Sequence, residues 1–197
     1  MQCSKLDINI DLEKLNVCFN SYVNNILKVA SLFPNDVTRV MTNYPSGGNH
    51  YAMTKRSDED WERIETEDYT LLTRFTKVNT RMVSVQFNEQ KTVDKYIEDI
   101  IIALRQNQNI ESNKKAVVAL VYAGPKFRLE KHIDSKGLVR YHIPIVVSND
   151  SYFETYDPYN KYYPKAGEVW RLETHIPHAA QNDDNYNYRI HAIIDFI

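Results

Sequence analysis

LEKHIDSKGLVRYHIPI, residues 129–145, sets titratable side chains among residues that favour burial. His132 and Asp134 stand two apart, and His142 follows inside an apolar, β-branched run. The stretch reads as extended chain, in which alternate side chains share a face, so His132 is grouped with Asp134 and Arg140 with His142. Ionisable groups are costly inside a protein, and a strand carries them on one face only where something on that face needs them.

Working outward, β-branched and aromatic runs recur at 37–43, 69–77, 81–87, 116–122, 138–147, 152–157, 168–174 and 188–196. Turn sequences such as NYPSGGNH, AGP, SND and DPYN separate many of them. Such a series predicts a mainly β chain: a double-stranded β-helix, the jelly roll or cupin-like form, whose closure shields strand edges. Two supporting helices are predicted before it. One lies between Asp11 and Phe33, where Leu12, Leu15, Phe19, Val23, Ile26 and Leu27 recur at three- and four-residue steps. The other runs from Thr92 to Gln106, with Val93, Tyr96, Ile97, Ile100, Ile101 and Leu104 on one stripe and Thr92 as its N-cap. Both are read as packing helices.

The 197 residues suit one domain, 1–197, with helices and supporting strands in 1–115 and the site-bearing β core in 116–197. A hydrophobic fraction of 43% with 25% charged residues matches a soluble globular protein. The 24 basic residues against 26 acidic ones supply no basic field for a nucleic-acid backbone. Cys3 and Cys18 match no metal or redox spacing, and no run approaches the roughly 20 apolar residues of a membrane span, so a cytoplasmic protein is expected. The 14 tyrosines cluster in SYFETYDPYNKYYP, which is read as packing over a core or lining a pocket.

Histidine placement carries the chemistry. Five of the six, at 132, 142, 175, 178 and 191, lie in the last third of the chain. Two imidazoles and a carboxylate on one side of an iron(II) ion leave its other positions open for substrate and dioxygen. His132 and Asp134, read as neighbours on one strand, offer two of those donors, and a distant histidine must supply the third. HIPH offers His175 or His178, which face opposite sides if the segment is extended. His178, after Pro177 and before a polar QNDD turn, is placed where a strand ends and a side chain can be re-aimed. Arg-x-His occurs twice, at 140 and 189, each time opening an apolar strand, where roughly 0.3 such triplets are expected by chance. A buried guanidinium needs an anionic partner, either a protein carboxylate or a carboxylate-bearing small molecule.

HID, LVRYHIPI, GEVWRLETHIPHAAQND and YRIHAIIDF, in that order over residues 116–197, resemble the aspartyl/asparaginyl β-hydroxylase family of iron(II)- and 2-oxoglutarate-dependent oxygenases. The resemblance implies a double-stranded β-helix with His132, Asp134 and His178 as iron ligands and catalytic centre. It further implies Arg189 and His142 as contacts to the 2-oxoglutarate cosubstrate, and Arg140 as a contact to a substrate carboxylate. Retention of Asp134, which the animal members lack, makes the chain similar to the bacterial branch that includes proline cis-hydroxylases. The implied reaction uses Fe(II), 2-oxoglutarate and O2 to hydroxylate an unactivated carbon of an amino acid or a peptide or protein residue, releasing succinate and CO2. Ile143, Val169 and Ile193 are expected near the cavity or in the core. Two other readings of the same residues are a cupin-like Zn or Mn isomerase or hydrolase, which leaves Arg189 without a role, and a β-sandwich binding module with structural histidines.

Overall fold

The structure is a computed structural model and describes residues 2–32, 37–43, 50–55, 61–63, 65–67, 70–72, 80–85, 90–114, 116–134 and 139–196. Helices form where the apolar stripes run: α1 (Leu12–Leu32) and α2 (Gln90–Gln108). Asp11 caps α1 by accepting the Lys14 backbone N–H on Oδ1 at 3.1 Å, and its own N–H donates to Tyr96 Oη at 2.6 Å, tying α1 to α2. Helix α2 starts at Gln90, so Thr92 lies in its first turn and is not the cap expected of it. Its other end closes on Asn109 at φ 52°, with the Ile110 N–H reaching back to Arg105 O at 2.9 Å.

The strands are β1 (Cys3–Leu6), β2 (Val37–Asn43), β3 (His50–Lys55), β4 (Trp61–Arg63), β5 (Glu65–Glu67), β6 (Thr70–Leu72), β7 (Thr80–Val85), β8 (Ala116–Ala123), β9 (Arg128–His132), β10 (Val139–Val146), β11 (Ser151–Tyr156), β12 (Tyr159–Tyr162), β13 (Val169–Glu173), β14 (His178–Asn182) and β15 (Arg189–Phe196). Every expected run contains a strand, although Phe33, Leu138 and residues 69, 73–77 and 86–87 lie outside the described residues. Strands β1, β12 and β14 were not expected, and β9 was expected only as part of an extended stretch that ran on to Asp134. Their sequences, CSKL, RLEKH, YNKY and HAAQN, are poor in β-branched residues and are recruited by pairing rather than by propensity. Strands β3, β4 and β5 were likewise unforeseen.

Among the described residues the strands form an 11-stranded sheet, ordered β1-β13-β10-β15-β8-β2-β3-β4-β7-β5-β6, and a 4-stranded sheet, ordered β12-β11-β14-β9. Alternation along the central strands divides the protein into layers. Tyr141, Ile143 and Ile145 of β10, Ile190, Ala192 and Ile194 of β15, and Val118, Leu120 and Tyr122 of β8 pack with Leu15, Phe19, Ile97, Ile100 and Leu104 of the helices. The opposite face of the large sheet carries Arg140, His142, Arg189, His191 and Ile193 toward the small sheet, where Phe153 of β11 meets the His142 ring at 4.6 Å and the His191 ring at 5.5 Å between centroids. Strands β10 and β15 are therefore covered on both faces, which explains their near-continuous apolar sequences. Ile193 lines the resulting cavity, whereas Ile143 and Val169 belong to the helix-side core. No helix among the described residues is long and apolar enough to cross a membrane.

Candidate metal centre and anion pocket

Strands β9 and β14 pair antiparallel with His132 directly opposite His178, so both imidazoles stand on one side of the small sheet, ring centroids 4.3 Å apart. Each ring is fixed by its own chain: His132 Nδ1 donates to Glu130 O at 2.7 Å, and His178 Nδ1 donates to Ile176 O at 2.9 Å. A backbone carbonyl only accepts, so both Nδ1 atoms carry the proton and both Nε2 lone pairs are left for another partner. That partner space is bounded by Asp134, whose Oδ1 lies 3.6 Å from His132 Nε2 and whose Oδ2 lies 4.0 Å from His178 Nε2. Ligand atoms of these residues all fall within 4.8 Å of one another. The donor set fits a divalent ion, and two imidazoles with one carboxylate suit iron(II).

Two local expectations need correction. Strand β9 ends at His132, so Asp134 is not on the strand with it; its backbone N–H donates instead to Thr174 O at 2.8 Å, in the turn after β13. His178 opens β14 rather than closing a strand, because residues 174–176 form the turn. That turn also separates the two histidines of HIPH: the His175 side chain is 40% exposed and lies 3.9 Å from Glu173, whereas that of His178 is 5% exposed and faces Asp134.

The same cavity, about 410 Å³, holds a second feature. Arg189 is 5% exposed, its Nη1 has no hydrogen-bonding partner among the described residues, and its guanidinium stands 5.7 Å from the Phe153 ring centre. Burial lowers its pKa to about 10. His142 has neither ring nitrogen partnered, and Nε2 of His191 is likewise alone among the described residues. Burial, reinforced by neighbouring cationic groups, holds both imidazoles well below their ordinary range, so they are neutral at pH 7. Arg140 differs. Its Nε and Nη2 grip Asp195 Oδ1 and Oδ2 at 2.9 and 3.0 Å, and its Nη1 donates to Asp134 Oδ2 at 2.9 Å.

His132, Asp134, His142, His178, Arg140 and Arg189 thus all line one cavity. His191 was visible as the companion of Arg189 on its strand face but had no role assigned. Phe153 and Asp195 carried no sequence signal, because only strand pairing brings them to the site.

A sequence profile described as aspartyl/asparaginyl beta-hydroxylase matches residues 36–197. No curated protein matches the chain by sequence. Among solved structures, the chain is similar to AviO1 from Streptomyces viridochromogenes Tue57, with a TM-score of 0.57 at 9% identity over 99% of this chain and 89% of that one. It is also similar to a Pseudomonas putida prolyl-4-hydroxylase, with a TM-score of 0.50 at 8% identity over 99% of this chain and 91% of that one. At such identities the likeness shows the fold, a double-stranded β-helix with two added helices.

Proposed function

Since the chain belongs to the aspartyl/asparaginyl β-hydroxylase family, a family of iron(II)- and 2-oxoglutarate-dependent hydroxylases, it is an enzyme of that class, and we propose that it hydroxylates an unactivated carbon of an amino acid or amino-acid residue. In this reading His132, Asp134 and His178 hold iron(II), and Arg189, with the neutral His142 and His191, receives 2-oxoglutarate. The bound ion, with 2-oxoglutarate and dioxygen, supplies the oxidising chemistry that yields succinate, CO2 and the hydroxylated carbon. The protein's own part is orientation. The Nδ1–H bonds lock both rings, burial keeps His142 and His191 uncharged so that each can both donate and accept a hydrogen bond, and the apolar walls exclude water from the reacting face.

The observation that carries the reading is the buried Arg189, whose Nη1 has no partner among the described residues, in the same cavity as the three donors. A metal-only isomerase or hydrolase has no use for a guanidinium kept there at a cost in stability, whereas a bidentate dicarboxylate neutralises it. Succinate release under iron, ascorbate and air, screened over free amino acids and peptides, identifies the substrate. His132→Ala and Asp134→Ala should each abolish release, and turnover retained in both refutes the metal assignment. Arg189→Ala should raise the 2-oxoglutarate requirement roughly 10- to 100-fold, the loss of a charge-assisted contact of about 1.5–3 kcal/mol. An unchanged requirement removes Arg189 from the cosubstrate site.

A further inference from the structure

We propose that Arg140 is a positioning residue that aims the Asp134 carboxylate at the metal, with Asp195 as its anchor, and that it does not contact the substrate. The inference rests on the metal-centre reading above. Asp134 lies beyond the end of β9, so no strand ladder fixes it; among the described residues its backbone is held through the N–H donated to Thr174 O at 2.8 Å. What fixes its side chain is Arg140, which reaches across from the other sheet. Arg140 is itself immobilised, since the pairing of β10 with β15 sets it directly opposite Asp195 and its Nε/Nη2 edge docks on both oxygens of that carboxylate. The remaining Nη1 points at Asp134 Oδ2.

Two consequences follow from this chain of contacts. With Oδ2 occupied by the guanidinium, Oδ1 is the oxygen left for an ion, so the clamp selects one-oxygen ligation and sets its direction. The guanidinium also has two carboxylates on it already, with side-chain exposures of 15% for Arg140, 23% for Asp134 and 9% for Asp195. A third carboxylate, from a substrate, would have to displace one of these bidentate or charge-assisted partners while facing both negative charges.

The test measures Mn(II) binding to the full chain without cosubstrate, by loss of the free-ion EPR signal, together with the visible absorption of the Co(II)-loaded protein. Arg140→Gln and Asp195→Asn should each weaken Mn(II) binding by roughly 10- to 100-fold, as loss of a group orienting a metal ligand does. Both should change the Co(II) spectrum. Arg140→Lys, which keeps the charge but loses the fork, should fall between wild type and Arg140→Gln, and serves if the glutamine variant fails to fold. The double variant Arg140→Gln/Asp195→Asn should bind no more weakly than Arg140→Gln alone, because the anchor acts only through the arm. Wild-type Mn(II) affinity and an unaltered Co(II) spectrum in folded Arg140→Gln or Arg140→Lys, with only the substrate KM raised, would overturn the proposal in favour of a substrate contact. His132→Ala separates the two readings: if it loses Mn(II) while the Arg140 variants keep it, only the positioning role falls. If it binds Mn(II) as the wild type does, the metal centre falls and the positioning role with it.

Discussion

A guanidinium that is 5% exposed, with Nη1 unpartnered and a pKa lowered to about 10, costs stability in the protein that carries it. In the proposed reading Arg189 is therefore a place where stability and binding oppose one another, as they do wherever a site is held ready for a charged ligand. Replacing it with an apolar residue of similar length should relieve the cost. Arg189→Met is expected to stabilise the unliganded protein by about 1 kcal/mol or more, seen as a raised urea midpoint, while abolishing its stabilisation by 2-oxoglutarate. An unchanged or lower midpoint would show that the guanidinium is compensated inside the protein. Arg140 is the contrast: it shares the strand-face logic of Arg189, but both its edges are already taken by carboxylates. The Arg-x-His repeat left a protein carboxylate or a small-molecule carboxylate as the partner of each guanidinium, and Arg140 has two protein carboxylates, those of Asp195 and Asp134, on it.

At the scale of the element, the hairpin of β11 and β12 carries its own charge cluster on the face turned away from the cavity. Glu154 accepts from Tyr156 Oη at 2.7 Å and Tyr159 Oη at 2.8 Å, with Lys161 Nζ at 3.5 Å. Burial opposes ionisation, but these hydrogen bonds and the lysine outweigh it and hold the carboxyl below its ordinary value of 4.5. A carboxylate with a lowered folded pKa stabilises the fold above its unfolded value, and that contribution fades as pH falls through the folded one. Glu154→Gln should thus lower stability at pH 7 and flatten its decline below about pH 4.5, read from urea midpoints between pH 7 and pH 3. A parallel decline in both proteins would remove Glu154 from the acid response. This hairpin also accounts for part of the tyrosine cluster, whose hydroxyls here hold a carboxylate rather than line the cavity. Strand β14 shows why an element escaped the sequence: HAAQN has no β signature, and it becomes a strand because β11 and β9 offer it an edge on either side.

Across the whole molecule the large sheet separates two environments, a helix-packed core on one face and, on the other, the cavity that holds the ionisable groups. Leu104 of α2, fully buried in that core, lies on the far side of the sheet from the three donors. Leu104→Ala should cost about 2–5 kcal/mol of stability in denaturant unfolding and leave Mn(II) affinity within about twofold of wild type. A large loss of affinity would mean that the helix layer holds the site in register. The division also explains what could be read beforehand. The sequence by itself determined the central strands, the helix stripes, the shared faces of Arg140 with His142 and of Arg189 with His191, and the family motifs, because alternation and periodicity are local properties of the chain. The preference for His178 over His175 was already legible in the sequence, but only tertiary structure decided that it sits directly opposite His132, that Asp134 is held from Thr174 and Arg140 beyond the end of its strand, and that Asp195 secures Arg140. Each of those outcomes depends on which strands pair and in what register, and one residue of slip in a strand would turn its side chain among them, His132, His178, Arg140 or Asp195, to the opposite face.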